Sequence, residues 1–600
     1  MSDSSPGLPL YKNGTPESMF SALRWLRRRL LLVTMFVAIT FLLFGYFGAF
    51  GLGRPYSQYP TSNEPSQRNA SLLVTLPGYG SFQGAQLHAD MKGTQTFRSS
   101  VDAWLGVEYS TQPVGADRFK VVQAPTAFDG VRDASNTGPA CWQNIYAAFP
   151  QSEACLTINV YRPFGIPMEQ KLPTLVYLHG GSFVSGSHRS FDGATFVENS
   201  VEPVMVVTVQ YRLGALGTLP GKFMEEEDLL NLGIRDQKQA LVFLQQHLDS
   251  FGGDCEKITL SGQSAGGHAV GIHLFHNYAE DTGKPLFHQV IMSSGSPTAR
   301  AFPGVDYALY QRQVEQFMDY VNCPTSPSSA ALECLRTSEI DDIQFISSSL
   351  YSAHNANITW PWQPVSPGPL FEKRGSTSGK DSTFFKVPMM IASMTNEGTG
   401  FVPQDVRTNA QFLTFWKTLV PGLNDQDVAD LQTLYPDSNS TDAQSATYVS
   451  KQFERLSASY GDYSYICPVQ DTASYLASAG APVYKARFNT PNYTPVYLGV
   501  PHASDSAYFQ GQASAQFPEI ADVYSAYWAS FVVSGDPNKY ARDGTAKWET
   551  YQPGDGTQGR ELVVNRPSQG GPQMENERDA IRMEQCQWWR DEARAKRINK

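Results

Sequence analysis

The run Ile258-Thr259-Leu260-Ser261-Gly262-Gln263-Ser264-Ala265-Gly266 decides the reading of this chain. Ile258 to Leu260 predicts a short buried strand. Gly262-Gln263-Ser264-Ala265-Gly266 then has the form G-x-S-x-G, a nucleophile elbow, in which a sharp strand-to-helix turn lifts the serine Oγ clear of a sheet. Small flanking residues let the backbone pack that tightly. The pattern is short, so its weight rests on partners elsewhere in the chain.

The first partner lies upstream. Leu172 to Leu178 (LPTLVYL) reads as a buried strand and runs into His179-Gly180-Gly181-Ser182-Phe183. Acyl transfer passes through an alkoxide, which needs N–H donors already aimed at it. Gly180 and Gly181 offer bare backbone amides, and Ala265, after the nucleophile, offers another. The second partner is a base, because a serine hydroxyl is a poor nucleophile until an imidazole takes its proton. In α/β-hydrolases the order is Ser, acid, His. Of ten histidines, His268, His273 and His276 fall in the helix after the elbow, and His288 and His354 precede the best acid candidate. Beyond residue 397 only His502 remains, in Gly499-Val500-Pro501-His502-Ala503. The acid is less constrained. Glu397 follows the apolar run Val387 to Ala392 (VPMMIA), at the strand end where α/β sheets build their sites, and Asp405 and Asp505 are alternatives.

Continuous apolar runs predict parallel strands covered on both faces. The candidates are Leu172–Leu178, Val204–Val209, Ile258–Leu260, Val290–Met292, Val387–Ala392 and Val483–Phe488. Gln237 to Ser250 places Leu241, Leu244 and Leu248 on one helical face. The fold class is therefore α/β, with a mostly parallel central sheet covered by helices.

The N-terminus predicts a membrane anchor. Leu30 to Leu52 is 23 residues without a charge, long enough to span a bilayer. Arg24, Arg27, Arg28 and Arg29 precede it and only Arg54 follows, which keeps residues 1–29 cytoplasmic and sends the rest across. A cleaved signal peptide is the rival, but its apolar core is shorter and starts earlier. Residues 53–71 read as a polar stalk, and no composition break divides residues 72–600, which read as one domain. The chain is then a single-pass type II membrane protein with its catalytic domain lumenal or extracellular. Sequons at Asn69, Asn357, Asn439 and Asn492 fit that side of the membrane.

The net charge of −11 and the lack of basic clusters outside the membrane flank argue against nucleic acid as a partner. No metal or cofactor is called for, and nothing reports the oligomeric state. Seven cysteines are present, and spacing alone assigns no pairs.

These residues carry a resemblance. Phe251-Gly252-Gly253-Asp254 followed by Ile258 through Gly266 resembles the serine signature of type-B carboxylesterases, the cholinesterase and fungal lipase family. Glu153 to Val160 (EACLTINV) is similar to that family's second signature. Tyr211-Arg212-Leu213-Gly214, Asn231 to Gln237 (NLGIRDQ), Tyr527-Trp528 and Gly535 to Asn538 also resemble it, over about Leu72 to Trp589. The resemblance implies the α/β-hydrolase fold, a Ser264, Glu397, His502 triad, and oxyanion donors at Gly180, Gly181 and Ala265. It also implies the disulfides Cys141–Cys155, Cys323–Cys334 and Cys467–Cys586, leaving Cys255 as a buried free thiol. Gln263, Ala154 and Pro367 depart from residues usually acidic in the family, which bears on local electrostatics and pH optimum.

The expected activity is hydrolysis of small-molecule or lipid esters. The loop Cys141 to Cys155 is short for a lipase lid; its Trp142, Tyr146 and Phe149, with Trp360 and Trp362, are candidate pocket residues. A lipase or steryl-ester hydrolase working beside its own membrane is one alternative. A non-catalytic adhesion ectodomain is another, disfavoured because serine, acid, histidine and glycine pair are all present.

Overall fold

The computed structural model describes residues 72–87, 100–143, 149–437, 449–552, 559–568 and 571–600. The chain divides into Met1–Tyr59 and Pro60–Lys600, and every described residue belongs to the second unit. The expected tail 1–29, anchor Leu30–Leu52, stalk 53–71, Tyr146 and the sequons at Asn69 and Asn439 lie outside the described residues. Among the described residues, no helix is long and apolar enough to cross a membrane.

The framework is an eleven-stranded sheet built from β1 (Ala85–Leu87), β2 (Val101–Glu108), β3 (Thr157–Pro163), β4 (Leu172–Leu178), β5 (Met205–Val209), β6 (Gly253–Gln263), β7 (Gln289–Ser293), β8 (Met389–Met394), β9 (Val483–Asn489), β10 (Arg560–Ser568) and β11 (Gly571–Arg578). Its spatial order is β1-β2-β3-β5-β4-β6-β7-β8-β9-β10-β11. From β5 to β10 neighbouring strands run parallel, while β1–β2, β2–β3, β3–β5 and β10–β11 are antiparallel.

Alternation along β4 explains the continuous apolar runs. Leu172, Val176 and Leu178 join one core, and Leu175 and Tyr177 join the core on the other face. With both faces buried, no polar face remains to break the run. Each such side chain contributes about 1.5–3 kcal/mol on burial. The helix α1 (Leu232–His247) and the 3-10 turn Leu248–Phe251 cover one face, with Leu241, Leu244 and Leu248 all buried as their spacing predicts.

Differences from the sequence reading have local causes. The run Val387–Ala392 forms a strand two residues later, because Pro388 has no N–H to give a ladder; its carbonyl still accepts from Val290. The helix begins at Leu232 rather than Gln237, directly after Asn231, which holds a left-handed conformation (φ 55°). The strand of the elbow reaches back to Gly253 through an irregularity before Ile258.

The family-like motifs away from the serine brace this framework. Arg212 grips Asp236 through Nη2–Oδ1 at 2.6 Å and Nε–Oδ2 at 2.8 Å, both side chains buried. Asn231 Nδ2 donates to the carbonyls of Val365 (3.0 Å) and Pro369 (3.1 Å). Removing one partner of such a buried pair is strongly destabilising, because the other charge is left uncompensated.

Candidate active site

β6 ends at Gln263, and α2 (Ala265–His276) begins one residue after Ser264. Ser264 therefore carries the whole reversal, at φ 58° and ψ −125°, a conformation that non-glycine residues hold only when their surroundings impose it. Two contacts impose it: Ser264 N donates to Ser293 O at 2.9 Å, and Ser264 O accepts from His268 N at 2.9 Å. The flanking glycines are steric necessities. A Cβ on Gly262 would sit 2.4 Å from the Gly266 backbone, and one on Gly266 would sit 2.0 Å from Leu178 O.

β4 delivers the glycine pair to the same place. A Cβ on Gly180 would lie 3.0 Å from Ser264 Cβ and 2.8 Å from Gln263 O. Gly181 has φ 111°, and a Cβ there would meet Ser185 O at 2.1 Å. The Gly180 and Gly181 N–H groups take no acceptor among the described residues. The Ala265 N–H belongs to the first turn of α2, where helical amides have no intrahelical acceptor.

His502 reaches the serine from a loop far along the chain. Its Nε2 lies 2.7 Å from Ser264 Oγ, and its Nδ1 lies 2.6 Å from Glu397 Oε2. Glu397 is fully buried, and its other oxygen accepts from Met394 N (2.7 Å) and Ser294 Oγ (2.6 Å). Those bonds orient the carboxylate so that one oxygen faces the imidazole. A two-rung clip joins the acid and histidine loops: Asn396 N donates to Val500 O at 3.0 Å, and Val500 N donates to Asn396 Oδ1 at 2.9 Å. Phe401 and Tyr465 wall the imidazole at ring-centroid distances of 4.9 and 4.4 Å.

Asp405 is exposed. Asp505 is fully buried but accepts from Ser293 Oγ at 2.5 Å instead of meeting His502, and burial pushes its carboxyl up to about 7. His268 and His273 are buried within α2, and burial holds both imidazoles down to about 3. Gln263 Nε2 lies 3.4 Å from His502 Nε2, so the departure from a usual glutamate sits directly beside the imidazole.

Ser294, Asn396, Phe401 and Tyr465 escaped the sequence reading. Ser294 alone had a signal, as the residue next after the strand run at Val290–Met292 and its Ser293. Trp360 lines a cavity, whereas Trp362 is core, packed edge-on against Phe317. The disulfides Cys141–Cys155, Cys323–Cys334 and Cys467–Cys586 are all formed. Cys255 is unpaired and half-buried rather than fully buried, and burial raises its thiol. Asn357 is exposed, and Asn492 is half-buried.

The carboxylesterase family model matches residues 70–589. Secreted lipase 4 of Gibberella zeae is 44% identical over 88% of this chain and 95% of its own length. Acetylcholinesterase of Bungarus fasciatus is 27% identical, over 80% of this chain and 83% of its own. Among solved structures, Aspergillus niger EstA superposes with a TM-score of 0.74 at 26% identity, covering 88% of this chain and 99% of EstA. The elbow, the strand order and these likenesses converge: the chain belongs to the carboxylesterase family and is a carboxylic ester hydrolase.

Proposed function

We propose that residues 72–600 form the hydrolase domain and cleave carboxylic esters through an acyl-enzyme on Ser264, with His502 as general base and acid and Glu397 as its orienting carboxylate. The observation that carries this reading is the unbroken relay from Ser264 Oγ to His502 Nε2 (2.7 Å) and from Nδ1 to Glu397 (2.6 Å). His502 Nε2 takes the Oγ proton as Oγ attacks the ester carbonyl. The resulting oxyanion is held by the N–H groups of Gly180, Gly181 and Ala265. Glu397 stabilises the imidazolium, which then protonates the departing alcohol. Water repeats the sequence on the acyl-enzyme, releasing the carboxylic acid and restoring Ser264.

We further infer that Leu30–Leu52 anchors this domain on the lumenal or extracellular side, with residues 1–29 cytoplasmic and 53–71 as stalk. Support comes from the arginines before an uncharged apolar run and from three disulfides, which persist in oxidising compartments. The exposed Asn357 is accessible for glycosylation.

The relative called a secreted lipase favours a second reading, a lipase acting on long-chain lipid or steryl esters. Hydrolysis of 4-nitrophenyl acetate, butyrate and palmitate by the full-length protein, beside Ser264→Ala, tests both. A preference for butyrate over palmitate supports an esterase, and the reverse order supports a lipase. Equal turnover by wild type and Ser264→Ala overturns the acyl-enzyme on Ser264. No turnover of any ester by folded protein would favour a binding ectodomain.

A further inference from the structure

A cavity of about 130 Å³, lined by Arg300, Trp360, Leu419, Tyr463, Gln363 and Ile598 among others, is joined to the candidate active site through intervening side chains. Two links connect them. Gln363 Nε2 donates to the carbonyl of Ser182, next to the Gly180-Gly181 pair (2.9 Å). Trp360 packs on Phe401 at 6.0 Å between centroids, and Phe401 packs on His502.

Arg300 gives the cavity its chemistry. It is 7% exposed, and its guanidinium lies over the Trp360 ring at 4.2 Å. Nη2 donates to Gln363 Oε1 at 2.6 Å, while Nε and Nη1 have no hydrogen-bond partner among the described residues. Arg300 forms no ion pair among those residues, and the hydroxyls of Tyr351, Tyr460 and Tyr463 are among its neutral polar neighbours. The second arginine at this cavity, Arg597, is already matched by Asp427 at 2.7 Å. A buried cation with unused donors is costly to hold unless an anion compensates it. Most of the remaining wall is aromatic and aliphatic, with Thr359 and Asn599 as further polar members, and the volume approaches the ~150 Å³ of a cavity that takes benzene.

We propose that this cavity is a carboxylate subsite: Arg300 binds the carboxylate of a small organic acid whose apolar body lies against Trp360 and Leu419. The same chemistry has two sources, the free acid released by ester hydrolysis or a second carboxylate carried on the ester itself.

Calorimetric titration of the full-length protein with sodium benzoate, and with neutral benzamide, tests the subsite. The expected result is saturable benzoate binding, at least tenfold tighter than benzamide, and weakened at least tenfold in Arg300→Met. Should Arg300→Met fail to fold, Leu419→Trp, which keeps the cation and fills the cavity, must weaken benzoate at least tenfold. Absence of saturable binding, equal binding of benzamide, or full retention in folded Arg300→Met or Leu419→Trp overturns the proposal.

The sources separate on 4-nitrophenyl hydrogen glutarate and neutral 4-nitrophenyl pentanoate. A tenfold or greater rise in KM for the glutarate alone in Arg300→Met identifies a carboxylate on the substrate. Parallel KM values, with benzoate inhibiting pentanoate turnover only when Arg300 is present, identify the released acid. This second arm alone rests on the hydrolase reading, which wild-type turnover of pentanoate reports separately.

Discussion

His502 Nδ1 stands 2.6 Å from Glu397 Oε2 although 105 residues separate them, while Asp505, three residues from His502 in sequence, turns away to Ser293. Proximity along the chain thus points to Asp505, whereas the strand end points to Glu397, the carboxylate that stands beside the imidazole. Glu397→Gln keeps the shape but leaves the imidazole without its anion. By analogy with the amide substitution in other triads, kcat should fall about 10⁴-fold. Steady-state kinetics of Glu397→Gln beside Asp505→Asn checks this, with Asp505→Asn expected to stay within tenfold of wild type.

Asp505 makes a separate prediction about stability. Its carboxyl is raised from 3.8 to about 7 by burial, so the unfolded chain releases this proton at lower pH than the folded protein does. Its contribution therefore favours the folded state at pH 4 and is progressively lost as pH rises toward 7. Asp505→Asn removes that dependence. The Tm difference, variant minus wild type, should grow more positive between pH 4.5 and 8; a constant difference would contradict the burial account.

The clip between Asn396 and Val500 should matter to rate more than to substrate binding. Gly499, at φ 64°, lies so close that an added Cβ would meet Asn396 Oδ1 at 2.3 Å. Gly499→Ala must displace the clip and with it His502. We expect kcat to fall about 10–100-fold, of the order that a 1 Å misplacement costs, with KM changed less than threefold.

Gln263→Glu restores the charge usual in the family beside His502, 3.4 Å from Nε2 in the present amide. The new carboxylate favours the imidazolium, and the base must be neutral to act. The acid limb of the kcat/KM profile should move up by about one pH unit. An unchanged limb would show that the substituted side chain faces elsewhere.

The Cys467–Cys586 disulfide closes a span of 119 residues and follows directly on Tyr465 and Ile466. Loops of this size lose about 4–5 kcal/mol of unfolded-state entropy when cross-linked. Replacing both cysteines with alanine should lower Tm by several degrees and loosen the Tyr465 wall of His502. The eleven-residue span Cys323–Cys334 should cost less, and thermal melts of the two double variants compare them.

What the sequence made legible follows from which physics is local. β4 is read to the residue because both its faces are buried and its run is unbroken. The hairpin β10–β11 was invisible because Arg560, Glu561, Glu575, Glu577 and Arg578 interrupt any apolar run, although Glu561 is buried against Lys485 and Arg487. Ser264 and His502 were nominated by motif and chain order, which are one-dimensional. Ser294, Phe401 and Tyr465 were not, because their roles exist only once β7, the Glu397 loop and the Asp462–Ile466 turn converge on one imidazole.

Covalent labelling tests the central claim most directly. Full-length protein treated with a fluorophosphonate and digested should carry one stoichiometric adduct, on the peptide containing Ser264. Ser264→Ala should take none, and His502→Ala should react far more slowly. An adduct on another residue, or Ser264→Ala that both labels and turns over 4-nitrophenyl butyrate at the wild-type rate, would contradict the account.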